Sequence, residues 1–211
     1  MIVSSTLPAA AYLSASATAC HKPQARLFWY RFVAITMTPI VHDCKLAEGT
    51  LKTLYGDYTE HLFYDGQRET IAMVLGNVAH LEDVPVRMHS SCLYGHAFNS
   101  IECECRQEME QAQKRIQAAG FGVIIWLEQE GKGNGHYALM QSQRHKKAGM
   151  KQADAYVAAG FEADARRFAP AAAIIKALDI KSVALLSSNE GKARQLSEQG
   201  ITVNRLYWDN E

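Results

Sequence analysis

The chain has 211 residues, 48% of them hydrophobic, with 22 lysines and arginines balanced by 22 aspartates and glutamates. That composition can bury a sizeable core and excludes an intrinsically disordered chain; its neutral balance lacks the basic excess of a dedicated nucleic-acid surface. Five cysteines, an odd number in a chain too large to depend on disulfides, read as reduced thiols of a cytoplasmic protein.

Residues 1–36 open with MIVSSTLPAAAYLSASATAC, Ser/Ala-rich and without the basic cluster and apolar run of a secretory signal. RLFWYRFVAI (26–35) is too short and too charged to cross a membrane. We read 1–36 as an N-terminal extension, poorly ordered, and Met37 as the start of one domain over 37–211. From Thr50 to Val78, apolar and polar residues alternate around the turn signals Gly56-Asp57 and Asp65-Gly66, which predicts antiparallel hairpins. VPVRMHS (84–90) predicts another strand. After Cys105 the period lengthens: Met109, Ala112, Ile116 and Ala119 mark a helix that stops at Gly120. FGVIIWL (121–127) and SVALLSS (182–188) predict strands buried on both faces. Helices are predicted around 137–149, 152–159, from Pro170 and up to Gly200, with a last strand at ITVNRLY. Hairpins first and strand–helix alternation afterwards give a mixed α+β or α/β fold.

The chemistry-bearing stretch is CLYGHAFNSIECEC, residues 92–105. Cys92, Cys103 and Cys105 fit two readings on spacing alone: ligands of one cation, or small buried thiols. Three protein ligands with an open position is the pattern of a catalytic zinc, whereas His89 or His96 as a fourth ligand closes a structural site. The CxxC of thioredoxin-like redox proteins is missing.

VRMHSSCLYGHAFNSIECEC, then WLEQEGKGNG, GFEADARRF and LLSSNEGK, resembles the GTP cyclohydrolase II family from about Thr38 to Tyr207. The resemblance implies Zn²⁺ on Cys92, Cys103 and Cys105, opening of the imidazole ring of GTP, and release of formate and pyrophosphate as in riboflavin biosynthesis. It implies Asp164 as proton acceptor and Arg166 as nucleophile towards the α-phosphorus. Arginine is a poor nucleophile, so charge stabilisation by Arg166 is an equally physical role, and a plain surface ion pair is the bland alternative. Substrate contacts carried over by the resemblance are Arg87, Met88, His89, Ser90, Ser91, Glu108, Glu130, Gly131, Lys132, Gln143, Gln152, Ser187 and Lys192. Phosphate recognition falls to Arg87 and the EGKGNG loop, where glycines let the backbone approach an anion. A triphosphate substrate implies Mg²⁺, and the family implies a cytoplasmic homodimer with no nucleic-acid or membrane partner.

Several matched positions depart from the family pattern. Lys132 stands for an arginine and loses the bidentate fork; Ser91 stands for an acid. Glu108 replaces a glutamine, exchanging a donor and acceptor for an acceptor-only carboxylate. Gln152 and Ser187 stand for threonines, and Gln143 for the tyrosine that assists ring opening, a role that Tyr137 lies too early to take. These changes leave open a different nucleobase or nucleotide, arrest at a formamidopyrimidine, or a non-catalytic nucleotide-binding protein.

Overall fold

The computed structural model describes residues 44–206, so the extension expected over 1–36 and Tyr207 of the last expected strand lie outside the described residues. β1 (Cys44–Thr53), β2 (Gly56–Tyr64) and β3 (Glu69–Leu75) form the predicted antiparallel meander. The period of two is visible in β3, which buries Thr70, Ala72 and Val74 and turns the residues between them outward.

β4 (Val84–Ser90), β5 (Gly122–Leu127), β6 (Ser182–Leu185) and β7 (Thr202–Leu206) run parallel to their neighbours within that group. The hairpins are not a separate layer, because β3 pairs antiparallel with β5. One seven-stranded mixed sheet results, in the order β1-β2-β3-β5-β4-β6-β7.

The helices are α1 (Leu93–His96), α2 (Cys105–Ala119), α3 (His136–Lys147), α4 (Gln152–Ala158), α5 (Ala169–Ala177) and α6 (Glu190–Glu198). Val123, Ile125 and Leu127 of β5 face Ala171, Ile174 and Ile175 of α5 and Leu196 of α6. Ile124 faces the other way, onto Ala112 and Ile116 of α2. Continuous apolar character in β5 is therefore a consequence of two covered faces, each buried aliphatic chain contributing roughly 1.5–3 kcal/mol. Gly120 ends α2 in a left-handed conformation as expected. Ala119, at the same helical spacing, is exposed rather than packed.

From β4 the chain passes through α1 and α2 to β5 on one side; from β5 it returns through α3, α4 and α5 to β6 on the other. The chain order therefore reverses about β4. In open α/β sheets the crevice beyond the carboxyl ends of strands at such a point is where ligands bind. Ser90-Ser91-Cys92, Gln129-Glu130 and Ser187-Ser188 all follow strand carboxyl ends here, and all line the same region.

Candidate active site

Cys92 leaves β4 and caps α1, its Sγ accepting from the Gly95 amide at 3.5 Å. Cys103 lies in the loop that follows, and Cys105 opens α2. The three Sγ atoms lie within 4.8 Å of one another, and those of Cys92 and Cys103 are 3.7 Å apart. Gly95 makes this cup possible: a Cβ there would sit 3.1 Å from both Cys103 Sγ and Cys105 Cβ. A hydrogen bond from Cys105 pulls the Cys92 thiol down to about 5, while that same bond, then burial, drives Cys105 far up. Burial also raises Cys103. A cation bound in the cup would bring all three to the thiolate.

The cup fits zinc. Zn–S bonds of ~2.3 Å at tetrahedral angles put sulfurs ~3.8 Å apart, against the 3.7 Å found, whereas a disulfide needs ~2.05 Å. Among the described residues no fourth protein ligand is at hand. All four ring nitrogens of His89 and His96 are engaged: Arg87 Nε donates to His89 Nδ1 at 3.3 Å, the two Nε2 atoms are 3.1 Å apart, and His96 Nδ1 lies 2.9 Å from the Cys92 carbonyl. Arginine only donates, so His89 carries its proton on Nε2, and His96 on Nδ1, donating to that carbonyl. Burial, then Arg87, hold His89 at about 2, so it stays neutral. Trp126 stacks on His89 at 5.7 Å. Among the described residues only the three cysteines form a ligand cluster.

Beside the cup opens a cavity of about 470 Å³, continuous in its lining with a smaller one of about 260 Å³. Arg87, Glu108, Lys132, Arg166 and Lys192 line both. Two residues here, Arg87 and Met88, behave otherwise than expected. Arg87, expected to take phosphate, is committed to protein acceptors: Nη1 donates to the Leu186 carbonyl at 2.8 Å and Nη2 to Glu108 at 2.5 Å. The carboxylate of Glu108 thus occupies the arm of the cleft's own arginine. Met88, expected as a substrate contact, turns its side chain into the core at 1% exposure and presents only its carbonyl, which accepts from Lys192 Nζ at 3.0 Å.

Asp164 and Arg166 form a bidentate pair, Nε at 2.8 Å and Nη2 at 2.5 Å. The pair is not a plain surface contact, since the Arg166 side chain is only 13% exposed and lines the cavity. Two neighbours hold its Asp164 carboxyl below the usual range, Arg166 and then Lys132, against the opposing effect of burial. The EGKGNG loop contains one tight 3-10 turn, Glu130–Gly133, with Gly131, Lys132 and Gly133 all in the left-handed region. Lys132 pays for that conformation and is held by Ala165, whose amide donates to its carbonyl at 2.9 Å. Gly133 is required outright: its Cβ would fall 2.7 Å from the Ala165 backbone.

Gln129 was not singled out by sequence, yet it is the clasp of the site. Its buried amide donates to the Arg167 carbonyl and accepts from the Arg167 amide, both at 2.8 Å, tying the turn to the Asp164–Arg166 segment. A polar residue two positions past an all-apolar strand was the available signal. Tyr156, fully buried on α4, was also missed; burial raises its phenol, with Ser142 and Gln152 beside it. Gln143 and Gln152 line the larger cavity, as do Ser90, Ser91, Glu130 and Gly131. Glu130 Oε2 also accepts from the Leu93 amide at 2.9 Å, which anchors α1. Ser187 lines the smaller cavity.

The family model described as GTP cyclohydrolase II matches residues 44–207. A "GTP cyclohydrolase-2" of Neisseria meningitidis is 38% identical over 159 residues, covering 75% of this chain and 81% of the relative. A "GTP cyclohydrolase-2" of Xylella fastidiosa is 37% identical over 139 residues, covering 66% of this chain but 35% of that protein. The "Riboflavin biosynthesis protein RibBA" of Endomicrobium trichonymphae is 36% identical over 157 residues, 74% of this chain and 39% of the relative. The chain thus spans about a third of the length of the Xylella protein. With the match running through the thiol cup, the turn and the Asp164–Arg166 segment, this chain belongs to the GTP cyclohydrolase II family.

Proposed function

We propose that the protein is a zinc-dependent hydrolase that opens the imidazole ring of GTP or a related nucleotide and releases formate and pyrophosphate. One observation carries this reading: the three-thiol cup and a cleft of four cationic side chains share one cavity wall. A nucleotide has the matching polarity, an electron-poor base at one end and phosphates at the other. Zn²⁺ on Cys92, Cys103 and Cys105 would supply Lewis acidity and a nucleophile active at neutral pH.

The chain's own residues do the remainder. Lys132, Arg166 and Lys192 hold the phosphates and fix the base against the cup, converting a bimolecular step into a positioned one. Asp164 stays ionised beside Arg166 and Lys132, so it can accept the proton of a water that attacks the α-phosphorus as pyrophosphate leaves. Arg166 keeps its charge there and stabilises the phosphoryl group as negative charge builds on it. Ser90, Ser91, Gln143 and Gln152 offer neutral donors and acceptors to the base. The reading extends to a cytoplasmic homodimer.

The test is mass spectrometry of products after the zinc-loaded protein is incubated with GTP and a panel of purine and pyrimidine nucleotides. Formate and pyrophosphate are expected from at least one of them. Intact nucleotides throughout, with ligand-induced thermal stabilisation, would instead identify a non-catalytic nucleotide-binding protein.

A further inference from the structure

The anion cleft contains its own anions. Four cationic side chains, Arg87, Lys132, Arg166 and Lys192, converge there, but each arginine already carries a carboxylate. Arg87 is bound by Glu108 and Arg166 by Asp164, at 2.5 Å each. Four positive side chains and two carboxylates leave a formal excess of two charges.

The two carboxylates are not equivalent. Asp164 lies two residues from its arginine and lines neither cavity, whereas Glu108 reaches across from α2, 21 residues from Arg87, and lines both. Its side chain is no more exposed than that of Asp164, 39% in each, but it lines the space that a ligand's phosphates would enter. Arg87 cannot rotate away freely, because its other nitrogens donate to the Leu186 carbonyl and to His89. Should a phosphate displace Glu108 from Arg87, the carboxylate would still stand beside it. Every added phosphate charge therefore meets both the cations and this resident anion.

We propose that Glu108 is a specificity-determining residue that flattens the cleft's preference for longer phosphate chains, so that a triphosphate gains less over a mono- or diphosphate than the four cations alone would give it. This rests on the nucleotide reading of the site. A unit charge about 6 Å from a phosphate group, at the effective dielectric of a protein surface, shifts binding by about tenfold or more. Because that penalty scales with ligand charge, as the pull of the cations does, it offsets part of the advantage the triphosphate would otherwise have.

The test is calorimetric titration of the zinc-loaded full chain with guanosine mono-, di- and triphosphate, and with pyrophosphate and tripolyphosphate, without added magnesium. Wild type is expected to favour triphosphate over monophosphate by less than about tenfold. Glu108→Gln, which keeps shape and removes charge, is expected to raise the triphosphate-to-monophosphate affinity ratio at least tenfold. Glu108→Ala should do the same, which guards against a local distortion by glutamine. An unchanged ratio in both variants, or a wild type already favouring triphosphate by more than tenfold, overturns the proposal while leaving the nucleotide reading intact. Ratios that move for the polyphosphates alone, with no nucleotide bound, support Glu108's role and overturn the nucleotide reading. No binding of any of the five overturns both.

Discussion

Replacing Lys192 by methionine keeps most of the apolar stem and removes the charge, and it should stabilise the fold while weakening the cleft. The residue is 6% exposed on the first turn of α6, with Nζ 5.6 Å from the Phe168 ring centroid and donating to the Met88 carbonyl. Burial first, then Arg87 and Arg166, push its pKa down from 10.5 to about 7. In the unfolded chain the group titrates near ~10.4. Between these values the unfolded chain binds more protons, so stability rises with pH through the window. The penalty is complete below pH 7 and gone above ~10.4, with intermediate values on the order of 4 kcal/mol at pH 7 and about 2 at pH 9. Orphaning the Met88 carbonyl costs about 2 kcal/mol in return. Lys192→Met should therefore be about 2 kcal/mol more stable than wild type at pH 7 and about equal to it at pH 9. Urea denaturation of both zinc-loaded proteins at the two pH values measures the difference, in which titrations common to both cancel. A variant less stable at pH 7, or a difference independent of pH, would contradict a buried Lys192 that is costly to protonate. The same variant should bind pyrophosphate at least about tenfold more weakly.

The depressed Lys192 also predicts proton uptake: an anion placed beside it raises its pKa, so pyrophosphate binding at pH 8 should take up a fraction of a proton. Calorimetry in buffers of different ionisation enthalpy reads that number, and zero uptake contradicts the placement. Cys103→Ser should lower zinc affinity by at least ~100-fold, seen by competition with a chromophoric chelator; retention of one zinc per chain would remove Cys103 from the ligand set. Gly133→Ala forces a Cβ to 2.7 Å from the Ala165 backbone at a φ of +84°, so the Asp164–Arg166 segment must shift. Activity should fall at least about tenfold with zinc content unchanged, since ångström-scale misplacement is enough for such losses; wild-type turnover would mean that segment does not act.

What the sequence makes legible follows from how local each feature is. The thiol cup lies in fourteen consecutive residues, 92–105, and its Gly95 is part of the quoted stretch. The strands 84–90 and 122–127 and the helix from 105 appear where period and breakers put them, because each needs only its own pattern. The fusion of hairpins and parallel strands into one sheet was not legible, because the β3–β5 pairing joins segments about fifty residues apart. Met88 reads as one of a run of strand-end contacts, yet strand alternation sends its side chain into the core. Arg87 reads as a phosphate ligand because nothing near it in sequence shows Glu108 waiting on α2.

The cup and the cleft therefore differ in kind. One short segment builds the cup, so its ligands stand or fall together. The cleft draws Arg87 from β4, Glu108 from α2, Lys132 from the turn, Arg166 from the following loop and Lys192 from α6. Its net charge belongs to no segment, and one substitution on one helix can reset it without disturbing the thiols. Glu108 is placed where it subtracts charge from the cleft while leaving the thiol cup unchanged. Divergence in what this chain accepts is accordingly expected at the phosphates before it is expected in the ring-opening chemistry, and the two can be measured apart.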